Sequence, residues 1–131
     1  VSELPVRVRW ITNAFASYAH EDKEEVVRRV QGIQKGNREL NLFLDIASLR
    51  SGEGWEARIR DEIIKSDVLY LFWSQAASRS RYVEMEWRTA LEHKGIGAID
   101  PVPLASPDEV PPPEELSTLH FNDFWLAFIN L

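Results

Sequence analysis

The sequence contains no cysteine among its 131 residues, so it holds neither a disulfide framework nor a metal site built from thiolates. It also lacks a run of 18 apolar residues, the pattern that predicts a transmembrane helix. The first ten residues, VSELPVRVRW, have no apolar segment of the kind found in signal peptides. These absences favour a cytoplasmic protein that does not enter a membrane.

Positive charge is also scarce. The chain has 15 Lys and Arg against 21 Asp and Glu, a formal net charge of −6. Since proteins that bind nucleic acids normally present a basic surface, no nucleic-acid partner is predicted. The contents of 44% hydrophobic and 27% charged residues are those of an ordinary globular domain.

The chain begins at Val1 and ends in FWLAFINL, a helical pattern that reaches the last residue. We therefore expect residues 1–131 to be a single domain of a longer protein, with a regulatory domain elsewhere in the full-length chain.

Several enzyme classes are excluded by missing motifs. The paired glycines at 52/54 and 95/97 lack the strand, glycine loop and helix context of a dinucleotide fingerprint, and no phosphate-binding Gly-Lys-Ser/Thr loop is present. The three histidines are scattered and have no carboxylate at ligand spacing, so no metal site is predicted. A response regulator would need an acidic pair at the end of the first strand, where this chain has Ser17 and Tyr18.

Strand-like apolar runs alternate with helical patterns along the chain. The predicted strands are 13–19, 40–45, 67–74, 97–104 and 116–123. The predicted helices are 22–36, 55–66, 81–95 and a last one from 124. This alternation predicts an α/β fold with a five-stranded parallel sheet and helices on both faces. Ligands of such sheets bind beyond the carboxyl ends of the strands. In this chain those ends are Ser17–Tyr18–Ala19, Asp45–Ile46 and Ser74–Gln75. The segment after the second of them, the 45–54 loop, contains two glycines.

The stretch SRSRYVEMEWRTAL contains two glutamates, Glu84 and Glu86, that helical geometry separates. At about 100° per residue, Tyr82 and Glu86 lie about 40° apart, whereas Glu84 is turned about 160° from Glu86. Glu84 precedes Arg88 by four residues, a favourable spacing for a surface ion pair. Glu86 has no Lys or Arg three or four residues later. A carboxylate without a local partner, beside an aromatic residue and near a strand end, is a candidate site residue.

Three segments in order carry a family resemblance. FASYAHEDK (15–23), LFLDIASLRSGEGWEARIRDEI (42–63) and VLYLFWSQAASRSRYVEMEW (68–87) resemble a TIR domain of the Toll/interleukin-1 receptor type, in its bacterial NAD-cleaving form. The resemblance covers roughly residues 10–123. It implies a flavodoxin-like fold and cleavage of NAD, which is the substrate, with no cofactor. It also implies activity that depends on self-association through the 45–54 loop, in a signalling or defence protein.

The resemblance also assigns residues. The catalytic glutamate of the family lies four residues after an aromatic, which places it at Glu86 and the aromatic at Tyr82, where the family often has tryptophan. Tyr82 would stack on a ring of the substrate. Trp55 would line the nicotinamide pocket; alternatively it is the first core residue of a helical stripe. Ser17 and Tyr18 would lie near the adenosine half of NAD.

Two residues of the 45–54 loop have more than one interpretation. Asp45 is either an anchor of the loop through an Asx-turn or a ribose contact. Arg50 is a phosphate contact, a contact with a neighbouring subunit, or a solvated side chain.

Three functions remain open at this point. The first is an NAD nucleosidase that hydrolyses or cyclises its substrate. The second is an adaptor without enzymatic activity, which acts through contacts between TIR domains. The third is a nucleoside deoxyribosyltransferase or a related nucleotide hydrolase on a similar fold, which would leave NAD untouched.

Overall fold

The structure is a computed structural model that describes residues 11–44, 49–119 and 121. In this part of the chain four strands form one parallel sheet in the order β2-β1-β3-β4. The strands are β1 (Asn13–Ser17), β2 (Asn41–Phe43), β3 (Val68–Trp73) and β4 (Ile99–Pro103). The sheet begins at β1 and extends first to one side and then to the other, so the strand order reverses between β1 and β3.

Helices connect successive strands. They are α1 (Lys23–Gly36), α2 (Trp55–Lys65), α3 (Gln75–Ser78) and α4 (Arg81–Lys94). Helices α2 and α4 pack against each other. Because connections between parallel strands are right-handed, α1 lies on the opposite face of the sheet. None of the helices in the described ranges is long and apolar enough to cross a membrane.

The predicted apolar stripes form the core. Strand β3 is apolar along its whole length and buried at every position but Tyr70, as expected of a central parallel strand. The helical residues packed on the sheet are Val26, Val30, Ile59, Ile63, Val83, Trp87 and Ala90. The spacing of three or four residues within each helix had predicted these faces, so the α/β class and the three long helices are confirmed.

The prediction of a fifth strand over 116–123 is wrong for the described residues of that segment. Glu114–Leu116 form a short 3-10 helix, residues 117–118 a turn and residue 119 a bend. The segment packs through single side chains instead: Leu116 is fully buried, and Phe121 meets the ring of Trp73 edge-on with centroids 5.9 Å apart. His120 and residues 122–131, with the predicted last helix, lie outside the described residues.

Prolines in β4 explain why no fifth strand pairs there in the described part of the chain. The backbone N–H of Leu104 donates to the carbonyl of Trp73 at 2.8 Å, so the even-numbered N–H groups of this segment face β3. Pro101 and Pro103 have the opposite parity and therefore lie on the outer edge of the strand. Proline has no N–H, so positions 101 and 103 cannot donate ladder bonds to another strand on this edge.

Helix α4, which carries Glu86, begins at a serine cap. The Ser80 hydroxyl accepts a hydrogen bond from the backbone N–H of Val83 at 3.2 Å. We expect Ser80→Ala to lower the free energy of unfolding by about 1 kcal/mol. The control is Ser78→Ala, because the Ser78 hydroxyl is exposed and donates only to the carbonyl of Gln75. Urea unfolding at neutral pH measures both, and equal effects of the two substitutions would contradict the assignment of Ser80 as the cap.

Candidate functional site

The candidate site lies at the carboxyl edge of the sheet, where the strand order reverses between β1 and β3. Such a reversal leaves a crevice, because the connections on its two sides leave the sheet toward opposite faces. Strand β1 ends at Ser17, and α4 brings Glu86 to the same place. The short helix α3 lies between β3 and α4 and is capped by Ser74, whose hydroxyl accepts a hydrogen bond from the N–H of Ala77.

Glu86 is completely buried, with 0% of its side chain exposed. Its Oε1 atom accepts hydrogen bonds from the Ser17 hydroxyl at 2.7 Å and from Nη2 of Arg50 at 2.8 Å. Its Oε2 atom accepts one from Nε of Arg50 at 2.9 Å. The carboxylate is thus held by three donors from β1 and from the 45–54 loop. None of these donors belongs to its own helix.

Arg50 makes a two-pronged ion pair with Glu86. Its Nε and Nη2 donate to the two carboxylate oxygens, and Nη2 also donates to the backbone carbonyl of Tyr18 at 3.0 Å. The Arg50 side chain is only 10% exposed. A guanidinium that bonds both oxygens of a carboxylate fixes both distance and orientation. The interpretation of Arg50 as a solvated side chain is therefore wrong, and its proposed role at a phosphate or a neighbouring subunit remains a prediction.

Burial and hydrogen bonding act in opposite directions on Glu86. Burial raises the pKa of the Glu86 carboxyl above its usual range, while the Arg50 guanidinium and the Ser17 hydroxyl lower it. The effect of burial is the largest, and the pKa is raised overall. The Arg50 guanidinium therefore favours the ionised form of this carboxylate, and burial opposes it.

Two aromatic rings lie next to the ion pair. Trp55, at the start of α2, meets Tyr82 edge-on with centroids 5.1 Å apart. The Cζ atom of Arg50 lies 5.3 Å from the centroid of the Tyr82 ring, within the range of a cation–π contact. Arg81 lies 5.6 Å from the same centroid. Trp55 is half-buried and packs against the core, as its interpretation as a core residue expects, and its contact with nicotinamide remains a prediction.

The loop that carries Arg50 is attached to α2. Nη1 of Arg58 donates to the carbonyl of Glu53 at 2.6 Å, and Nη2 of Arg58 donates to the carbonyl of Ser51. Gly52 and Gly54 have φ angles of 83° and 72°, which only glycine adopts without strain. The glycines thus let the backbone turn around the Arg58 guanidinium, and this turn fixes residues 51–54.

The other predicted residues have different places. Tyr18 is buried, and its hydroxyl donates to the carbonyl of Leu44 at 2.9 Å, which joins the ends of β1 and β2. Ser17 is bonded to Glu86, so the structure gives it a role in orienting that carboxylate. Contact of either residue with the adenosine half of NAD remains a prediction. Asp45 lies outside the described residues.

Glu84 has the surface role that helical geometry predicted for it. It is exposed, and its Oε2 lies 2.8 Å from Nε of Arg88. The same arginine reaches Glu115 at 2.9 Å, which links α4 to the segment after β4. The two glutamates of VEMEW therefore differ completely in their surroundings, and Glu84 serves as a natural control for Glu86.

The bond between Arg50 and Glu86 was not predicted from the sequence. Helical spacing predicts only partners of Glu86 on the same helix, whereas Arg50 lies 36 residues away along the chain. One signal was available, because Glu86 flanks a core stripe and a buried carboxylate needs a cation or several donors. That signal predicts that a partner exists without saying which cation it is.

Comparisons with known proteins identify the family. The family model described as TIR domain matches residues 15–128 of the chain. A search of the curated proteins finds no match. Within the described ranges, no group of three or more His, Asp or Glu side chains is arranged to hold a metal ion.

Replacing Arg50 by Gln would leave the Glu86 carboxylate buried without its cation. We expect Arg50→Gln to lower the free energy of unfolding by about 3 kcal/mol at neutral pH. The pKa of Glu86 is already raised and would rise further, since both effects of Arg50 lower it. A raised pKa means that stability is present at low pH and is lost as the pH rises through that pKa. The deficit of the variant should therefore shrink as the pH is lowered.

Urea unfolding between acidic and slightly basic pH measures this dependence. Arg81→Gln is the matched control, because Arg81 also lies against Tyr82 and has no bond to Glu86 among its described contacts. We expect Arg81→Gln to have a small effect at every pH. A deficit of Arg50→Gln that does not change with pH would contradict the assignment of Arg50 as the partner of an ionised Glu86.

Proposed function

The chain belongs to the TIR domain family, and from this premise we propose that it cleaves the bond between nicotinamide and ribose in NAD, with Glu86 as the catalytic residue. The family includes NAD-cleaving enzymes as well as adaptors. The observation that carries the proposal is the setting of Glu86. One carboxylate with a raised pKa is buried at the carboxyl edge of the sheet, beside the rings of Tyr82 and Trp55. Perturbed titratable groups in a crevice are characteristic of active sites.

The reaction requires only one carboxylate. The electron pair of the breaking C–N bond goes to the positively charged ring nitrogen, so nicotinamide leaves as a neutral molecule and needs no proton. Most glycosidases need a second carboxyl group to protonate their leaving group. Among the described contacts of Glu86 there is no second carboxyl group. The site therefore fits a reaction in which the leaving group is already activated.

Glu86 would stabilise the sugar rather than form a bond to it. Loss of nicotinamide leaves a positively charged, oxocarbenium-like ribose, and an ionised carboxylate nearby lowers the energy of that charge. The effect is stronger in a site from which water is excluded. The same carboxylate would accept hydrogen bonds from the ribose hydroxyls and so orient the ring. Attack of water, which then loses a proton, gives ADP-ribose; attack of an adenine nitrogen gives a cyclic product.

The surrounding residues have supporting roles in this proposal. The Ser17 hydroxyl keeps the Glu86 carboxylate in one orientation through its 2.7 Å bond. Tyr82 and Trp55 would hold the nicotinamide ring, and the remaining contacts of NAD would come from Tyr18, Asp45 and the 45–54 loop.

The biological setting is inferred from the family. TIR domains act through contacts with other TIR domains, and we propose that this chain self-associates through the 45–54 loop. In that setting it is the effector of a cytoplasmic signalling or defence protein, controlled by a regulatory domain of the same full-length chain.

An adaptor without enzymatic activity is the second candidate, and one observation favours it. The ion pair between Arg50 and Glu86 gives the buried glutamate a structural reason to be present. An adaptor would retain the pair to fix the 45–54 loop for contacts between domains. The two candidates predict different activities for a variant in which Glu86 loses its charge while the fold is kept.

Release of nicotinamide from NAD distinguishes the candidates. The assay compares wild type, Glu86→Gln and Glu84→Gln at high protein concentration with a crowding agent, and light scattering monitors self-association. We expect Glu86→Gln to lower the rate by at least about a hundredfold, as loss of electrostatic stabilisation does in other enzymes. Glu84→Gln should retain the wild-type rate, because Glu84 is an exposed surface residue. Absence of release by an assembled wild-type domain would favour the adaptor, and equal rates for all three proteins would remove Glu86 from the chemistry.

The ring of Tyr82 is open to a separate test. We expect Tyr82→Ala to raise KM for NAD about tenfold, because loss of an aromatic contact removes about 1 kcal/mol or more of binding free energy. Tyr82→Trp should retain a KM near that of wild type. Steady-state kinetics of nicotinamide release measure both variants. A fall in kcat with unchanged KM in Tyr82→Ala would contradict a role in holding the nicotinamide ring.

A further inference from the structure

We propose that Arg50 is an internal substitute for the substrate. Its guanidinium occupies the position that the ribose takes on Glu86 and the nicotinamide ring takes beside Tyr82, so that the domain with Arg50 in place is self-inhibited. This inference rests on the proposed function, since it assigns a means of regulation to the same site. It differs from the roles that the sequence suggested for Arg50, which were contact with a phosphate or with a neighbouring subunit.

The hydrogen bonds of Arg50 resemble those of the expected substrate. Arg50 presents two parallel N–H donors, at 2.9 and 2.8 Å, to the two oxygens of Glu86. The adjacent 2′- and 3′-hydroxyls of a ribose present two O–H donors at a similar spacing. With Ser17 as a third donor, both oxygens of the buried carboxylate already have partners. The guanidinium and the ribose therefore cannot bond this carboxylate in the same way at the same time.

Charge and shape also correspond. The guanidinium is planar and positively charged, and its Cζ atom lies 5.3 Å from the centroid of the Tyr82 ring. The nicotinamide ring of NAD is likewise planar and positively charged. An aromatic ring beside a carboxylate attracts either group for the same electrostatic reason. Arg50 thus combines, in one side chain, the features of both the sugar and the base of the substrate.

The chemistry requires Arg50 to leave Glu86. A guanidinium held on the carboxylate neutralises the charge that would stabilise the developing positive ribose. It would also place a second positive charge beside that ribose, and the two would repel each other strongly in a buried site. Arg50 on Glu86 is therefore incompatible with catalysis. The other bonds that hold it, from Nη2 to the Tyr18 carbonyl and from Arg58 to the loop backbone, stabilise the inhibited form.

Competition of this kind has a measurable consequence. A ligand that binds only the fraction of molecules in which Arg50 is withdrawn has an apparent affinity reduced by that fraction. Removing the Arg50 side chain removes the competitor and should tighten ligand binding. A residue that contacts the substrate directly would have the opposite effect, because its removal weakens binding.

The probe is carbocyclic NAD, in which a methylene group replaces the ring oxygen of the nicotinamide ribose, so that no oxocarbenium-like ion can form. Calorimetric titration is carried out at slightly basic pH, because the pKa of Glu86 is raised and basic solution favours its ionised form. We expect Arg50→Gln to bind the probe at least about tenfold more tightly than wild type. Arg50→Lys should bind the probe with intermediate affinity, because lysine keeps the positive charge but lacks the two parallel N–H donors of the guanidinium. Arg81→Gln, which removes an arginine beside Tyr82 and not the bond to Glu86, should bind like wild type.

The outcomes separate this inference from the proposed function. Near-UV circular dichroism establishes that each variant is folded, and Arg50→Lys provides the comparison if Arg50→Gln is not. Tighter binding to Arg50→Gln without nicotinamide release by any assembled protein would refute the enzyme and leave Arg50 as the occupant of the ligand site. Equal or weaker binding to Arg50→Gln, or no binding to any of the four proteins, would overturn the inference.

Discussion

A buried carboxylate must be compensated, and this requirement organises the carboxyl edge of the sheet. Glu86 is completely enclosed, and an ionised group in such a place needs a cation and several hydrogen bonds. Arg50 supplies the cation, and Ser17 supplies a further donor from the end of β1. The position of Arg50 depends on the backbone turn at residues 51–54 that follows it. Residues 51–54 bend around Arg58 in the way that brings Arg50 onto the carboxylate.

The proposed catalysis and the proposed self-inhibition both depend on the ion pair between Arg50 and Glu86. For a carboxylate that serves only as a structural ion pair, the rings add packing and a cation–π contact with Arg50. A carboxylate that stabilises a sugar cation needs both those rings and freedom from other cations. In the structure the Tyr82 ring lies beside the ion pair, and the Glu86 carboxylate is still paired with the Arg50 cation. The proposed exchange of Arg50 for the positively charged nicotinamide ring and its ribose would account for all three side chains with one electrostatic principle.

The sequence predicted those features that depend on local periodicity. The core faces of the helices, the buried strand β3 and the opposite surroundings of Glu84 and Glu86 all follow from the spacing of apolar residues. Pairings between distant segments could not be predicted from this spacing. The bond from Arg50 to Glu86 depends on how a loop folds back over an edge. The absence of a fifth strand in the described residues depends on which edge of β4 its two prolines face. Neither is encoded by the spacing of neighbouring residues.

The proposed exchange of partners at Glu86 is observed directly at the side chain of Arg50. In a protein labelled with nitrogen-15, the Nε–H of Arg50 is hydrogen-bonded to the carboxylate and should give a slowly exchanging resonance, which Glu86→Gln identifies by its change. Addition of carbocyclic NAD should replace this resonance by that of a rapidly exchanging, solvated guanidinium. A resonance that persists unchanged while the probe is bound would contradict this exchange, because Arg50 would then remain bonded to Glu86 in the presence of the ligand.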